Sequence, residues 1–276
     1  FTLPPEMFGF YKRHIDFITD HAVDPDKRRY AVDGEAQRHY IDIDHYAKGG
    51  VDPFEAMPRK WSDAVAKYTE DTLQAYDIVP WQIEVMFGRL VSAFQRGDVD
   101  RILRNSAEIG HYVGDAHVPL HTTENYNGQL TDQHGIHDHL VGRATYVDRV
   151  LDVAWEAVHA SHLLVDSVLG IEKRLSASYP EDRKYVFEDR GRGAMRTYSR
   201  DFTKAYEDAM LGMVEERMNA SILTLGNVWY SAWVAAGQPD LSRFEQKEVS
   251  DSLKAVLKVE QELFEQSRKG FGREHE

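Results

Sequence analysis

The amino-acid sequence predicts an all-α fold, a single multi-helix domain over residues 1–276. Apolar residues recur at helical spacing along most segments of the chain. No set of strands alternates with a period of two, and neither a repeat of about 20–50 residues nor a Ser- or Pro-rich linker divides the sequence. A chain of 276 residues, of which 42% are hydrophobic, is long enough to bury a sizeable core.

Two helices are predicted directly after one another near the middle of the chain. From Trp81 onward, apolar side chains form a helical stripe, which Pro80 precedes and Gly97 ends. Asp98 can cap a second helix, which runs to Asp115. The boundary between the two helices is therefore expected at residues 97–98.

Two more helices are predicted in the second half. One begins at about Ala144 and carries apolar residues as far as Val158. The longest pattern runs from Phe202 to Trp233 without interruption and ends before Gly237 and Pro239. These spacings predict one continuous helix in each segment.

The remaining segments are predicted as an amphipathic tail and several loops. The chain from Leu241 onward resembles a charged amphipathic helix. Turn-forming residues concentrate in residues 24–50, 122–135 and 176–193. The stretch "GRGAMR", residues 191–196, is expected to open a helix whose N-terminus could receive an anion, although it lacks a phosphate-loop signature.

Charge and composition limit the possible functions. A formal net charge of −13 argues against broad electrostatic attraction to nucleic acid or anionic membranes, although bound cations could reverse the field locally. The chain has no cysteine, so any metal must be held by nitrogen and oxygen donors. No apolar run of about 18 residues occurs, so no transmembrane segment is expected.

The stretch "HYVGDAHVPLHTTENYNGQLTDQHGIHDHL", residues 111–140, holds six of the 13 histidines, interleaved with aspartates. A metal site, a pH-responsive surface and chance are the three explanations. His111 and Asp115 share one helix face, and His121 follows after Pro119, which places three ligands of the types zinc accepts around a helix end. Because a pH switch needs no such carboxylate spacing, we favour a metal site.

A second polar segment, "DHAVDPDKRRYAVDGEAQRHYIDIDHY", lies upstream at residues 20–46. Its basic residues 27–29 stand beside several aspartates and are predicted to be a solvated, self-neutralised stretch. Spacing alone does not choose among its candidate metal donors, since Asp-Pro-Asp is also a common turn or cap. Those candidates are Asp24, Asp26, His39, Asp42, Asp44 and His45.

Two stretches carry a family resemblance. "GHYVGDAHVPLHTTENYNGQ", with the pattern His-x3-Asp-x-His-x-Pro-Leu-His, and "RHYIDID" resemble the zinc-dependent phospholipase C and single-strand-specific nuclease superfamily, especially its bacterial phospholipase-C-like branch. The motifs cover residues 1–146, and the C-terminal half is similar only in being helical. The resemblance implies an all-α fold, up to three zinc ions in a cleft, and hydrolysis of phosphate esters.

The resemblance also implies roles for individual residues. His39 would bind the first zinc together with His111, Asp115 would bridge to a neighbouring ion, and His121 would begin a second site. An upstream aspartate, expected about fourteen residues before His39, would be both a metal ligand and the general base. Asp26 is the preferred candidate for that role, and Asp24 is the alternative.

The sequence departs from the family pattern at its start. Members of the family begin with a Trp whose amino group and carbonyl bind the third zinc, helped by a nearby histidine. This sequence begins "FTLPPEMFGF", and His14 lies too far along to be that histidine. The third zinc site is therefore expected to be incomplete in the sequence.

The second departure concerns the second zinc site. After Gly-Ile-His the family pattern expects a glutamate four residues on, but this chain has Val141, so a short segment has either been deleted or is missing from the sequence. The resemblance favours His137 as the ligand. Spacing instead offers the pair His134 and Asp138, which we keep as the alternative.

These observations favour a zinc-dependent phosphodiesterase of the phospholipase C type, located in the periplasm or secreted, as the resemblance implies. Its substrate would be a phospholipid or a related phosphoester, and no protein partner is evident. The first alternative is a single-strand-specific nuclease with the same metals, which predicts an aromatic base pocket beside them. The second is a non-catalytic zinc-binding helical protein.

Overall fold

A computed structural model describes residues 2–124, 143–189 and 194–270 of the chain. Helices dominate this part, and its strands form one two-stranded antiparallel sheet, so the predicted all-α class is confirmed. None of the described helices is long and apolar enough to cross a membrane.

The N-terminal half contains eight of the described helices and several short 3₁₀ turns. The α-helices are α1 (Pro5–Arg13), α2 (Ile15–His21), α3 (Asp24–Arg28), α4 (Pro53–Ala56), α5 (Trp61–Tyr68), α6 (Glu70–Ala75), α7 (Val79–Arg96) and α8 (Val99–Ala116). The 3₁₀ turns are Ala36–Arg38, Ile43–Tyr46, Lys48–Gly50 and Pro119–His121.

The second half adds six described helices and the hairpin. They are α9 (Val150–His162), α10 (Val165–Ser178), α11 (Glu181–Lys184), β1 (Tyr185–Asp189), β2 (Ala194–Tyr198), α12 (Arg200–Ala209), α13 (Met213–Ala235) and α14 (Asp251–Gly270). A further 3₁₀ turn covers Leu241–Phe244.

Local signals explain the ends of the central pair α7 and α8, as predicted. Pro80 occupies the first turn of α7, where its missing N–H is not needed. Gly97 ends α7 in the left-handed region with φ 60°, a conformation that favours glycine. The Asp98 side chain then accepts a hydrogen bond from the backbone N–H of Arg101 and caps α8.

The core lies where α7, α8, α9 and α13 pack together. The amphipathic stripes of these helices meet there, and each large apolar side chain that is fully buried contributes roughly 1.5–3 kcal/mol. Members of this core include Ile83, Met86, Leu90, Ile102, Leu103, Trp155, Val158 and Val228. The C-terminal end of α8, which carries the His-x3-Asp pair, is therefore held by its packing against three other helices.

One helix was predicted to start at about Ala144. That boundary is wrong, because the corresponding helix, α9, begins at Val150. The preceding residues run along α13 instead. The backbone N–H of Thr145 donates to Asn227 Oδ1 at 2.7 Å, and that of Val147 donates to Ser231 Oγ at 2.8 Å. Side chains of α13 thus satisfy the backbone donors of a segment that is not helical.

The predicted continuous helix from Phe202 to Trp233 is also wrong. The chain forms α12 and α13, separated by a turn in which Leu211 has φ 53° and Gly212 has φ 85°. Apolar residues keep helical spacing across the turn, so periodicity alone does not reveal the break. The left-handed backbone at Gly212 ends one helix and starts the next.

The expected loop at residues 176–193 and the helix expected at residues 191–196 are replaced in part by the hairpin. Val186 pairs with Thr197, and Phe187 pairs with Arg196. Both strands are rich in aromatic and β-branched residues, which suit a pleated strand. The next helix, α12, begins only after Ser199, whose hydroxyl caps it by accepting from Phe202 N–H.

The C-terminal tail is helical only in part. A 3₁₀ turn covers Leu241–Phe244, and the amphipathic helix α14 begins at Asp251. The predicted helix starting at Leu241 is therefore wrong in its boundary, although the charged amphipathic pattern does form a helix further along the chain.

A buried arginine joins the ends of α8 and α9. The guanidinium of Arg217 donates to the carbonyl oxygen of His117 at 3.1 Å, to that of Ala157 at 3.3 Å and to Ser161 Oγ at 2.9 Å. Backbone carbonyls at helix C-termini carry partial negative charge, so a cation stabilises both ends. Arg217 therefore helps to fix the end of α8 beside the candidate site.

Candidate metal centre

Asp26, His39 and His111 come from three separate segments and converge on one point. Asp26 lies on α3, His39 follows the 3₁₀ turn Ala36–Arg38, and His111 lies one turn before Asp115 near the end of α8. Ligand atoms of the three residues all lie within 4.8 Å of one another. This arrangement is a possible metal-binding triad, and it unites the two polar segments that the sequence singled out.

The distances within the triad suit a small divalent ion. His111 Nε2 lies 2.9 Å from His39 Nδ1. Asp26 Oδ1 lies 3.8 Å from His111 Nε2 and 3.9 Å from His39 Nδ1. A tetrahedral ion with ligands at about 2.0–2.1 Å has edges of roughly 3.3 Å, which the three separations bracket. Two imidazoles and a carboxylate therefore suit a divalent ion that accepts nitrogen and oxygen ligands.

Asp115 lies between the triad and His121. Its Oδ2 is 2.9 Å from His39 Nδ1 and 3.3 Å from His111 Nε2, while its Oδ1 is 3.3 Å from His121 Nδ1. Burial opposes ionisation, but hydrogen bonds from the imidazoles of His121 and His39 outweigh it and lower the pKa of Asp115 to about 2. This carboxylate stays ionised and presents one oxygen to each side.

The histidines of the triad are protected from water. His39 is fully buried, and the side chain of His111 is 12% exposed. Burial lowers the pKa of His111 below its ordinary value, although the charge of Asp115 opposes the shift. A lowered pKa favours the neutral imidazole, the form whose lone pair binds a metal.

His121 is oriented by the backbone around it. Its Nδ1 lies 3.2 Å from the carbonyl oxygen of His39, which can only accept, so Nδ1 carries the proton and donates. The backbone N–H of Ile41 in turn donates to the carbonyl oxygen of His121 at 2.9 Å. These two bonds join the upstream segment to the 3₁₀ turn Pro119–His121, and they leave Nε2 of His121 as the nitrogen with a free lone pair.

The structure favours Asp26 over Asp24 as the upstream carboxylate. Asp24 Oδ2 lies 2.6 Å from His21 Nδ1, and its Oδ1 accepts from Lys27 Nζ at 2.8 Å. Asp24 also lines a cleft of about 550 Å³ between the first helices and α14, and the triad does not line that cleft. Asp24 is therefore engaged in a separate ion-pair cluster.

The other upstream candidates face away from the triad. Asp44 accepts from the hydroxyl of Thr123 and from the backbone N–H of Glu124, the latter at 3.0 Å, so it holds residues 123 and 124 in place. The ring of His45 stacks on Tyr76 with a centroid separation of 3.3 Å. These contacts give both residues a structural role.

Asp42 and Asp77 form a pair of half-buried carboxyls. Burial and the charge of Asp44 raise the pKa of Asp42 to about 6, and burial followed by the charge of Asp42 raises the pKa of Asp77 to about 7. Asp77 also has a backbone φ of 70°. The charge of Asp42 therefore opposes ionisation of Asp77 beside the segment that carries His39.

The three basic residues 27–29, predicted to be one solvated stretch, have different surroundings. Lys27 pairs with Asp24, and Arg28 is largely buried with its guanidinium 2.7 Å from Glu108. Arg29 lies at the candidate site, 3.2 Å from Asp26 Oδ1. Their helical spacing on α3 separates them, so the solvated interpretation is wrong for Arg28.

Glu35 is a residue of the site that the sequence reasoning missed. Its side chain is 1% exposed, and Oε1 lies 3.9 Å from His39 Nε2. A single glutamate in a turn has no distinctive spacing, and its position four residues before His39 is the only signal that could have indicated it.

The candidates for the second zinc site lie outside the described residues. These are His134, His137 and Asp138, together with Val141 at the position where a glutamate was expected. The choice between His137 and the His134–Asp138 pair therefore stays a prediction.

Comparison with family models, curated proteins and solved structures gives no match.

Proposed function

We propose that the chain is a zinc-dependent phosphodiesterase of the phospholipase C type, which cleaves a phospholipid or related phosphoester on the glycerol side. The observation that carries the proposal is the convergence of Asp26, His39 and His111 within 4.8 Å. In a chain without cysteine, this donor set suits zinc. It is also the set that the resemblance implies for the first zinc ion, and the resemblance further suggests a secreted or periplasmic location.

Asp115 supports a second ion by orienting His121, whose Nδ1 faces its carboxylate and whose Nε2 is left to bind a metal. One oxygen of Asp115 faces His39 and the other faces His121, at 2.9 and 3.3 Å. Asp26, His39 and His111 would hold the first ion, and His121 would contribute to a second with ligands from residues outside the described part. Bound zinc lowers the pKa of a coordinated water and neutralises charge on phosphoryl oxygens.

The protein side chains would position and deprotonate the attacking water. The side chain of Asp26 is 52% exposed, so water and substrate reach its carboxylate, which can orient a water and take up its proton. Arg29 stands beside it and can donate to the non-bridging oxygens of a phosphate. Buried His39, by contrast, serves to hold the metal.

A second candidate function is a single-strand-specific nuclease, and the position of Tyr40 favours it. The Tyr40 ring lies 4.3 Å from the ring of His121, and the guanidinium of Arg29 lies 5.2 Å from the Tyr40 ring. An aromatic ring beside the metal residues can stack a nucleobase. The net charge of −13 is weak evidence against a polyanionic substrate.

Turnover of three substrates by the zinc-loaded protein tests the proposal: phosphatidylcholine vesicles, a chromogenic choline-phosphate ester and single-stranded DNA. We expect phosphocholine release that stops when a chelator removes zinc and returns when zinc is restored. His111→Gln should lower turnover by at least about a hundredfold, whereas His159→Gln, which changes an exposed helical histidine elsewhere, should have little effect.

Turnover of DNA alone would reject the phospholipase proposal in favour of the nuclease. Stoichiometric zinc binding without turnover of any of the three substrates would favour a non-catalytic zinc-binding protein.

A further inference from the structure

We propose that Glu35 is a positioning residue of the metal centre, whose carboxylate accepts a hydrogen bond from Nε2–H of His39 while Nδ1 of His39 binds the metal. The inference rests on the metal site of the proposed function and adds a residue that the family motifs do not contain.

The first observation is a buried nitrogen of His39 that lacks a partner. Nδ1 faces Asp26, His111 and Asp115, whereas Nε2 is buried and has no hydrogen-bond partner among the described residues. A neutral imidazole that binds a metal through Nδ1 carries its proton on Nε2. That N–H then needs an acceptor, because an unsatisfied buried donor is costly.

Glu35 provides a carboxylate at this position. Its Oε1 lies 3.9 Å from His39 Nε2, and both side chains are 1% exposed. Closing the gap by about 1 Å would produce an ordinary N–H···O hydrogen bond. No water needs to enter, since the two groups already face each other in the protein interior.

Two arginines and a tyrosine hydroxyl surround the Glu35 carboxylate and fix its position. Arg38 donates to Oε2 at 2.6 Å, Arg28 lies 3.6 Å from Oε1, and the hydroxyl of Tyr112 donates to Oε1. A buried carboxylate is stable only when it is paired in this way. The ionised form makes the stronger hydrogen bond to an imidazole N–H and raises the basicity of the ligand nitrogen.

The other two histidines already have such outer partners. His121 donates from Nδ1 to the carbonyl oxygen of His39, and the backbone of Ala22 lies beside His111 and favours its protonated form. Metal-binding histidines usually have an acceptor on the nitrogen that does not bind the metal. Glu35 would supply an outer partner of this kind to His39.

A purely structural role for Glu35 makes a different prediction. Glu35 belongs to an ionic network that continues through Arg28 to Glu108, which binds Arg28 at 2.7 Å and Arg104 at 2.8 Å. If Glu35 only balances the arginines, replacing either glutamate should have the same consequences. Glu108 is buried in the same network but does not contact His39, which makes Glu108→Gln the matched control.

The test compares wild-type protein with Glu35→Gln and Glu108→Gln. Zinc affinity is measured by competition with a chromophoric chelator, and thermal unfolding of the metal-free proteins reports their stability. We expect both substitutions to lower the melting temperature, but only Glu35→Gln to weaken zinc binding, by about tenfold or more. Long-range ¹H–¹⁵N spectra of zinc-loaded wild-type protein should show His39 metal-bound at Nδ1 and protonated at Nε2.

Equal zinc affinities for Glu35→Gln and Glu108→Gln would overturn the role of Glu35 but leave the proposed function standing. A His39 bound to zinc through Nε2 would have the same consequence. A wild-type protein that binds no zinc would overturn the inference together with the proposed function. The ring spectra keep the inference testable even if neither variant folds.

Discussion

Replacing Asp26 and Asp24 in turn separates a metal ligand from a structural aspartate two residues away. The side chain of Asp26 is 52% exposed and contacts Arg29, so Asp26→Asn should change the stability of the metal-free protein by less than about 0.5 kcal/mol. The side chain of Asp24 is 12% exposed and bonded to Lys27 and His21, so Asp24→Asn should cost roughly 1–3 kcal/mol.

The effects on zinc binding should be reversed. Protein zinc sites with four ligands bind with apparent free energies of about 10–16 kcal/mol, or roughly 3 kcal/mol for each ligand. Losing the Asp26 carboxylate should therefore weaken binding by about two orders of magnitude, whereas Asp24→Asn should leave the affinity nearly unchanged.

Urea unfolding of the metal-free proteins measures the stability change, and chelator competition measures the zinc affinity. A loss of affinity in Asp24→Asn, with normal affinity in Asp26→Asn, would refute the assignment of the ligand from geometry. Comparable losses in both variants would show that the two carboxylates act together.

Three further substitutions test the fold around the site. Asp77→Asn removes a carboxyl group. Burial raises the pKa of this group to about 7. Because this folded-state pKa exceeds the unfolded one, ionised Asp77 destabilises the fold as the pH rises toward 7. The variant should therefore gain roughly 1–2 kcal/mol at pH 8, after discounting for solvent screening, and little at pH 4, by urea unfolding at both pH values. Arg217→Leu removes the donor to the carbonyl oxygen of His117 and to Ser161 Oγ and should cost roughly 2–4 kcal/mol, seen as a lower melting temperature. Gly97→Ala places a Cβ at φ 60°, 3.0 Å from Phe244 Cζ, and should cost about 1–2 kcal/mol by the same measurement.

Matched controls distinguish these causes from general effects of substitution. Glu84→Gln changes an exposed carboxylate of α7 and should show no comparable pH-dependent gain. Gly88→Ala adds a methyl group inside α7 where no atom lies within 4 Å, so it should stabilise the protein slightly. A destabilised Gly88→Ala, or an unchanged Arg217→Leu, would contradict the packing described above.

Local signals in the sequence predicted the elements that carry the downstream ligands. Pro80, Gly97 and Asp98 set the limits of α7 and α8, and helical spacing placed His111 and Asp115 on one face. The break between α12 and α13 was not predictable from periodicity, because the apolar spacing continues through the left-handed turn at residues 211 and 212.

The upstream ligand could not be chosen from the sequence for a geometric reason. Residues two apart on a helix point in directions about 200° apart, so Asp24 and Asp26 cannot face the same group, and only tertiary packing decides which one faces His39. Glu35 was beyond prediction because its role depends on burial and on the unpartnered nitrogen of His39, neither of which leaves a spacing pattern.

The most direct test of the metal centre is an anomalous difference map, measured at the zinc absorption edge from crystals grown with zinc. We expect a peak within bonding distance of Asp26 Oδ1, His39 Nδ1 and His111 Nε2, with Asp115 beside it. A map in which these three side chains are ordered but hold no peak, or in which zinc binds elsewhere, would contradict the account.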